Sequence, residues 1–324
     1  VDLPLAFNSE LATQLLVNGL TLGSLYALIA LGYTMVYGIL KLLNFAHGDV
    51  YMVGAFVGFG VLHAFGGPLS PNIALAALIT LMFIGAMLGS GALGIVIERF
   101  AYRPLRDAPR IAPLISALGV SFFLQNSVLL LFGASFRSYD SFLLGSDRPQ
   151  QFEPGPLTDA LFVVNGVNVQ LAQVLVMAMT LGLMVALTLL VARTRIGKAM
   201  RATAFDREAA AMMGIDVDRV IASTFFIGSM LAGAAGVMFG LLFSQIFHFM
   251  GFLAGLKGFT AAVVGGIGSI PGAMLGGILV GLAEAYATGY VGGRWSDLIV
   301  FGILIFVLLV RPSGLLGTRA IQKV

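Results

Sequence analysis

The chain has 324 residues, of which 59% are hydrophobic and only 10% charged, with a net charge of +3 and no cysteine. A soluble domain carries about a quarter of its residues charged, so this composition cannot cover a fold in water and excludes a cytosolic enzyme. The missing cysteines exclude disulfides, thiol catalysis and Cys-ligated metal, and basic residues so few form no nucleic-acid patch.

A helix needs about 20 mainly apolar residues to cross a hydrocarbon layer of roughly 30 Å. Cutting the chain where charge or proline interrupts such runs predicts an all-α polytopic membrane protein, one transmembrane domain over 1–324. Its spans, about nine with eight to ten allowed, cover 11–37, 50–65, 72–97, 111–132, 171–192, 220–243, 252–270, 272–290 and 298–310. The second and last are short, and the seventh holds Lys257 and several glycines, so broken or re-entrant helices are expected among them. The first run has neither a basic lead nor a cleavage site, as expected of a retained span rather than a signal peptide.

Between the first two spans, Asn44-Phe45-Ala46-His47-Gly48-Asp49 sets polar or glycine residues at four of six positions. That suits an unwound turn between half-helices; Asp49 suits equally the N-cap of a helix starting at Val50. After the third span comes a basic cluster of Arg99, Arg103, Arg106 and Arg110. Gln125 and Asn126 in the fourth span are expected to act as interhelical hydrogen-bond glue.

The connection 133–170 carries Asp140, Asp147, Glu153 and Asp159 against two arginines, and its Asn165-Gly166 between β-branched residues predicts a tight hairpin. It serves either as a cap over the bundle mouth or as the dock of an external soluble partner. The loop 193–219 is the most basic in the chain. Within it a helix is predicted from Lys198 to Met213, closed by Gly214. Phe205, Met212 and Met213 beside Arg201, Asp206, Arg207 and Glu208 would suit the lipid interface or a groove on another protein.

Charges inside spans are costly and mark function by default. Lys257 lies in a glycine-rich stretch, 251–258, that reads as a second unwound segment, and Glu284 sits deep in the eighth span. The two serve either as a structural ion pair or as substrate contacts. Symmetry between the chain halves would set the breaks near Asn44 and Gly251 opposite each other. Glycines at four-residue spacing, such as Gly268, Gly272 and Gly276, suit tight helix packing. The stretch 265–272 lacks the Lys-Ser/Thr end of a phosphate loop, so no ATP site is expected in this chain.

Most of the 18 Lys and Arg fall in three segments, 99–110, 193–219 and 311–323, which the positive-inside rule assigns to the cytoplasm. The acidic N-terminus and 133–170 then lie outside. An odd number of crossings agrees, with the N-terminus outside and the C-terminus inside.

Several motifs together resemble the H-type permease subunits of bacterial ABC importers for branched-chain amino acids. They are 18–28 (Asn-Gly-Leu-Thr-Leu-Gly-Ser-Leu-Tyr-Ala-Leu), 43–49, 98–106 with its Arg103-Pro104-Leu105-Arg106, 201–204 with 206–210, and 265–273, within a likeness running from about 11 to 316. Glu208-Ala209-Ala210 followed by Gly214 also resembles the loop by which such permeases engage their ATPases; the Ile and Leu-Pro that follow in that motif are absent.

The resemblance implies a heteromeric transporter in the bacterial inner membrane: this subunit, a second homologous permease, two cytoplasmic ATPases holding ATP and Mg, and an external binding protein. It implies inward transport of branched-chain amino acids by alternating access, with no catalysis, cofactor or metal in this chain. The expected substrate path is Asn44, His47, Asp49, Lys257 and Glu284. The expected coupling surface is Arg201, Asp206, Arg207, Glu208, Ala209, Ala210 and Gly214. Urea-type permeases share these motifs and give the alternative substrate. An ATPase-independent channel or carrier would have no use for the coupling loop, and an intramembrane enzyme would need a nucleophile and base that are not paired here.

Overall fold

A computed structural model describes residues 9–65, 75–106, 108–109, 111–139, 160–164 and 166–317. Asp2, Arg110, Asn165, Arg319, Lys323 and most of the loop 133–170 lie outside the described residues.

The helices are α1 (Ser9–Leu40), α2 (His47–Phe65), α3 (Leu75–Ile97), α4 (Ile111–Phe132), α5 (Leu171–Arg193), α6 (Arg195–Phe205), α7 (Arg207–Met212), α8 (Val217–Phe243), α9 (Met250–Gly265), α10 (Ile270–Tyr286) and α11 (Gly293–Val310). Eight are long and apolar enough to cross a membrane; α9, at 16 residues, is the shorter ninth apolar helix. All nine predicted spans therefore correspond to helices.

The middle of α1, from Leu25 to Leu31, is almost wholly inaccessible, because α1 is the central stave of the bundle. Its tightest neighbour is α10. Gly19 and Gly23 on one helix face Leu282 and Ile278 on the other, where an added Cβ would stand 2.9 and 2.7 Å from backbone Cα atoms. Dispersion contacts at backbone range, which only small residues permit, replace the hydrophobic driving force that lipid does not supply. Leu130 and Leu131 on α4, Leu181 on α5 and Leu309 on α11 point outward, as apolar residues should where the solvent is a hydrocarbon.

The two central helices end alike. Lys41 and Ser244, the residues after α1 and α8, are the only described non-glycine residues with positive φ, at 57° and 58°. Each N–H returns to the carbonyl four residues back, Tyr37 and Gly240. Connections of equal length, 41–46 and 244–249, then lead into α2 and α9 through the same turn, His47 N–H to the Asn44 carbonyl and Met250 N–H to the Phe247 carbonyl. Gly48 and Gly251, each the second residue of its helix, lie so close that a Cβ on either would stand within 2.6 Å of the other's carbonyl oxygen. The two turns thus match in backbone although their side chains differ.

Three expectations are corrected. The stretch 251–258 is not unwound: it lies inside continuous α9, and the break precedes it. Its glycines serve close approach, Gly251 and Gly255 to Gly48 and Gly258 to Ile29. Asp49 caps nothing, since α2 begins two residues earlier at His47. The helix expected from Lys198 to Met213 is two helices, α6 and α7, parted at Asp206. There the aspartate takes the extended backbone and accepts from the N–H groups of Glu208 and Ala209 at 3.0 Å, the N-cap role its short carboxylate favours over a helix interior.

The predicted hairpin forms, β2 (Ala160–Val164) pairing antiparallel with β3 (Val167–Gln170) and Gly166 at φ 79° in the turn. A smaller pair, β1 (Arg137–Ser138) with β4 (Gln245–Ile246), stitches the chain after α4 to the connection between α8 and α9.

Candidate functional site

The sequence-predicted path residues fall into two groups, one at the start of α2 and one between α9 and α10. Asn44, His47 and Asp49 gather where α2 starts, and all are buried. The Tyr102 hydroxyl lies 3.1 Å from the Leu43 carbonyl and 3.2 Å from Asn44 Oδ1, so it can donate to either. His47 stands edge-on to the Tyr33 ring at 4.9 Å, and its Nε2 has no hydrogen-bond partner among the described residues; it fills the space left by the absent side chain of Gly32. Asp49 is held from α4, with Ser121 Oγ donating to Oδ2 at 2.5 Å and Gln125 Nε2 donating to Oδ1 at 3.0 Å. Gln125 thus links helices as expected, whereas Asn126 donates to the Phe122 carbonyl of its own helix.

Lys257 and Glu284 do meet. Lys257 Nζ is 2.7 Å from Glu284 Oε1 and also 2.7 Å from Asp297 Oδ1, and Tyr26 donates its hydroxyl to Glu284 Oε2 at 2.8 Å. A lone charge at this depth would be prohibitive; mutual pairing is what makes it tolerable. Lys257, Glu284 and Tyr26 form the polar end of a cavity of about 400 Å³ whose other walls are mostly apolar, among them Leu25, Ile29, Phe239 and Phe243; Asp297 meets Lys257 from outside that lining. Tyr51, two residues beyond Asp49, lines the same cavity.

Sequence reasoning missed Asp297 and Tyr26. Asp297 immediately precedes the predicted start of the last span, and α11 in fact begins four residues before it, at Gly293. A buried phenol in an apolar run needs a hydrogen-bond partner, which was the signal available for Tyr26.

The predicted coupling residues surround α7. Arg207 Nη2 donates to the Ile39 carbonyl at 2.7 Å, fixing α7 under the end of α1; burial, then the charge of Arg106, lowers the Arg207 pKa from its ordinary value. Arg201 donates to the Val191 carbonyl near the end of α5. Ala210 is buried, while Glu208 is exposed. Gly214, at φ 82°, closes the helix, and the next N–H, that of Ile215, reaches the Ala210 carbonyl at 3.0 Å. Phe205, Met212 and Met213 project outward, each more than 80% exposed.

The Arg-Pro-Leu-Arg motif acquires a place here that its sequence did not disclose. Beyond α3 the chain winds through a π-turn (Glu98–Tyr102) and a 3₁₀ turn (Arg103–Leu105). Arg103 and Arg106 both pair with Asp218, in the first turn of α8, and Arg106 also pairs with buried Glu98. One short segment therefore joins the α7–α8 corner to the break at Asn44 through Tyr102. Among the described residues no cluster of His, Asp and Glu could hold a metal ion.

Residues 15–308 match the sequence profile of the family described as branched-chain amino acid transport system, permease component. The chain is 46% identical over 314 residues to the high-affinity branched-chain amino acid transport system permease protein BraD of Pseudomonas aeruginosa, covering 96% of this chain and 97% of that one. It is 44% identical to the corresponding LivH protein of Escherichia coli K12, with 96% and 97% covered. A probable branched-chain amino acid transport permease protein LivH of Methanocaldococcus jannaschii is 29% identical, with 95% and 94% covered. No solved structure matches the chain.

Proposed function

The chain belongs to the family of branched-chain amino acid transport permease components, and from that membership we propose that it is the membrane-spanning subunit of an ATP-driven importer for leucine, isoleucine and valine. The observation that carries this reading is identity of 44–46% along nearly the whole length of permeases so named, which favours it over a urea permease. The subunit works in the bacterial inner membrane beside a second homologous permease, two cytoplasmic ATPases that bind ATP and Mg, and an external binding protein. It performs no chemistry itself.

In this reading α7 is the coupling helix. Its apolar tip of Met212 and Met213, with Phe205 at the end of α6, enters a groove on the ATPase, with Glu208, Ala209, Ala210 and Gly214 shaping the contact and Arg201, Asp206 and Arg207 fixing it to the bundle. ATP-driven movement of α7 reaches Asp218 and, through Arg106, Glu98 and Tyr102, the break at Asn44. The starts of α2 and α9 then shift against each other at Gly48 and Gly251, and access alternates across them. Asn44, His47, Asp49, Lys257 and Glu284 line the route.

The test is reconstitution of this chain with a second permease, the ATPases and a binding protein in proteoliposomes. Leucine should accumulate only with ATP and binding protein. Accumulation of urea in place of leucine, or leucine flux independent of ATP, would overturn the reading.

A further inference from the structure

We propose that the cavity enclosed by α1, α8, α9 and α10 is a subsite for one free zwitterionic amino acid, with Lys257 receiving its carboxylate and Glu284 its ammonium group. This rests on the permease reading and specifies where in the subunit, and by which charges, the substrate is read.

At about 400 Å³ the cavity falls within the range of small-molecule sites, roughly 300–1,000 Å³, and it has their usual make-up of apolar walls with a few convergent polar groups. The polar end is unbalanced. One ammonium serves two carboxylates, at 2.7 Å each, so the cluster carries one surplus negative charge and lacks one cation. An amino acid supplies that cation, while its own carboxylate takes over one of the two places around Lys257 Nζ. The exchange adds no net charge to the low-dielectric interior, because the guest is neutral overall. Tyr26 restrains Glu284 by donating to Oε2, which leaves Oε1 as the oxygen able to swap between Lys257 and the guest.

The remaining wall suits a branched aliphatic side chain, with Leu25 and Ile29 from α1 and Phe239 and Phe243 from α8. An anionic phospholipid such as phosphatidylglycerol is a poor fit, since its headgroup would meet the surplus carboxylate. An uncharged solute such as urea leaves the apolar wall unused.

The chain has no cysteine, so a single introduced thiol is the only one it contributes, and the assembly without that thiol gives the background. Ala254→Cys and Thr288→Cys each place one on its lining. The assembly of permeases and ATPases, without binding protein, is treated with a small methanethiosulfonate reagent. Leucine at roughly ten times its Kd should slow labelling at both positions by about tenfold, as occupancy by mass action requires. Leucine amide, which lacks the carboxylate, and 4-methylpentanoate, which lacks the ammonium group, should protect far less. Leu130→Cys, on the outward face of α4, should label alike with and without leucine.

Lys257→Met should remove the protection and Lys257→Arg should keep part of it. Should Lys257→Met fail to assemble, the two analogues alone decide the point. Leucine uptake with unprotected labelling at both lining positions overturns the subsite while the permease reading stands. Protection without leucine uptake does the reverse. Equal protection by leucine and both analogues overturns recognition of the zwitterion.

Discussion

At Gly48 two backbones touch, and the missing Cβ is the reason they can. A methyl there would stand 2.7 Å from Gly255 Cα, closer than Cβ atoms approach in proteins, so Gly48→Val should cost about 1–3 kcal/mol by overpacking. Gly60, on the same helix, has nothing within 4 Å of such a methyl, and Gly60→Val should shift stability far less. Thermal unfolding of the two purified variants in detergent compares them directly. Asp49 invites a second measurement of the same kind. Asp49→Ala strips the acceptor from Ser121 and leaves Gln125 only its 3.3 Å bond to the Ser121 oxygen, which should cost about 1–3 kcal/mol; Asp49→Asn keeps an acceptor and should lose less.

The residue types at these places were legible in the sequence, because a charge in an apolar run is conspicuous. Their partners were not. Asp49 as a cap and Asp49 as an interhelical acceptor have the same sequence, and only the true start of α2 separates them. Lys257 with Glu284 was one of two readings left open, and Asp297 escaped because it sits at the edge of a hydropathy window.

Among the elements, the segment 98–106 has most to lose from a single change. If the α7–α8 corner drives the Asn44 break through Arg103 and Arg106, Asp218→Asn should leave ATP hydrolysis running while leucine uptake falls. Coupling mutations of this kind are worth about 0.5–2 kcal/mol, roughly a two- to thirtyfold drop. Arg219→Ala, which removes an exposed partner of Asp216, is the control and should change neither rate. Glu208→Lys should lower assembly with the ATPases or coupled transport without affecting membrane insertion; normal substrate-stimulated hydrolysis in that variant would argue against α7 as the coupling helix.

Span positions were readable to within a few residues, since apolar windows are long and their ends are marked by charge. Breaks were harder to place. Glycine permits unwinding and permits close packing, and a glycine-rich run such as 251–258 offers no means of telling the two apart. The single cytoplasmic helix failed for a different reason: the flanking propensities were strong enough to mask Asp206, whose capping preference parts α6 from α7.

For the molecule as a whole, the gathering of the arginines predicts the direction of insertion. Thiols introduced by Ser9→Cys and Met213→Cys, both at exposed positions, should react with an impermeant reagent from opposite sides of sealed vesicles, Ser9 from outside. Reaction of both from one side would discard the nine-crossing path.

The matched left-handed turns at Lys41 and Ser244 bear on how such a body can move. In a chain that crosses at each apolar helix, α1 is the first and α8 the sixth, so the same hinge is installed twice, heading opposite ways. A part and its inverted copy need not adopt identical poses at one instant, and if they trade poses the molecule turns its other face to the world. In that case opening inward and opening outward would be one state viewed from its two ends, with Gly48 against Gly251 as the pivot of the trade.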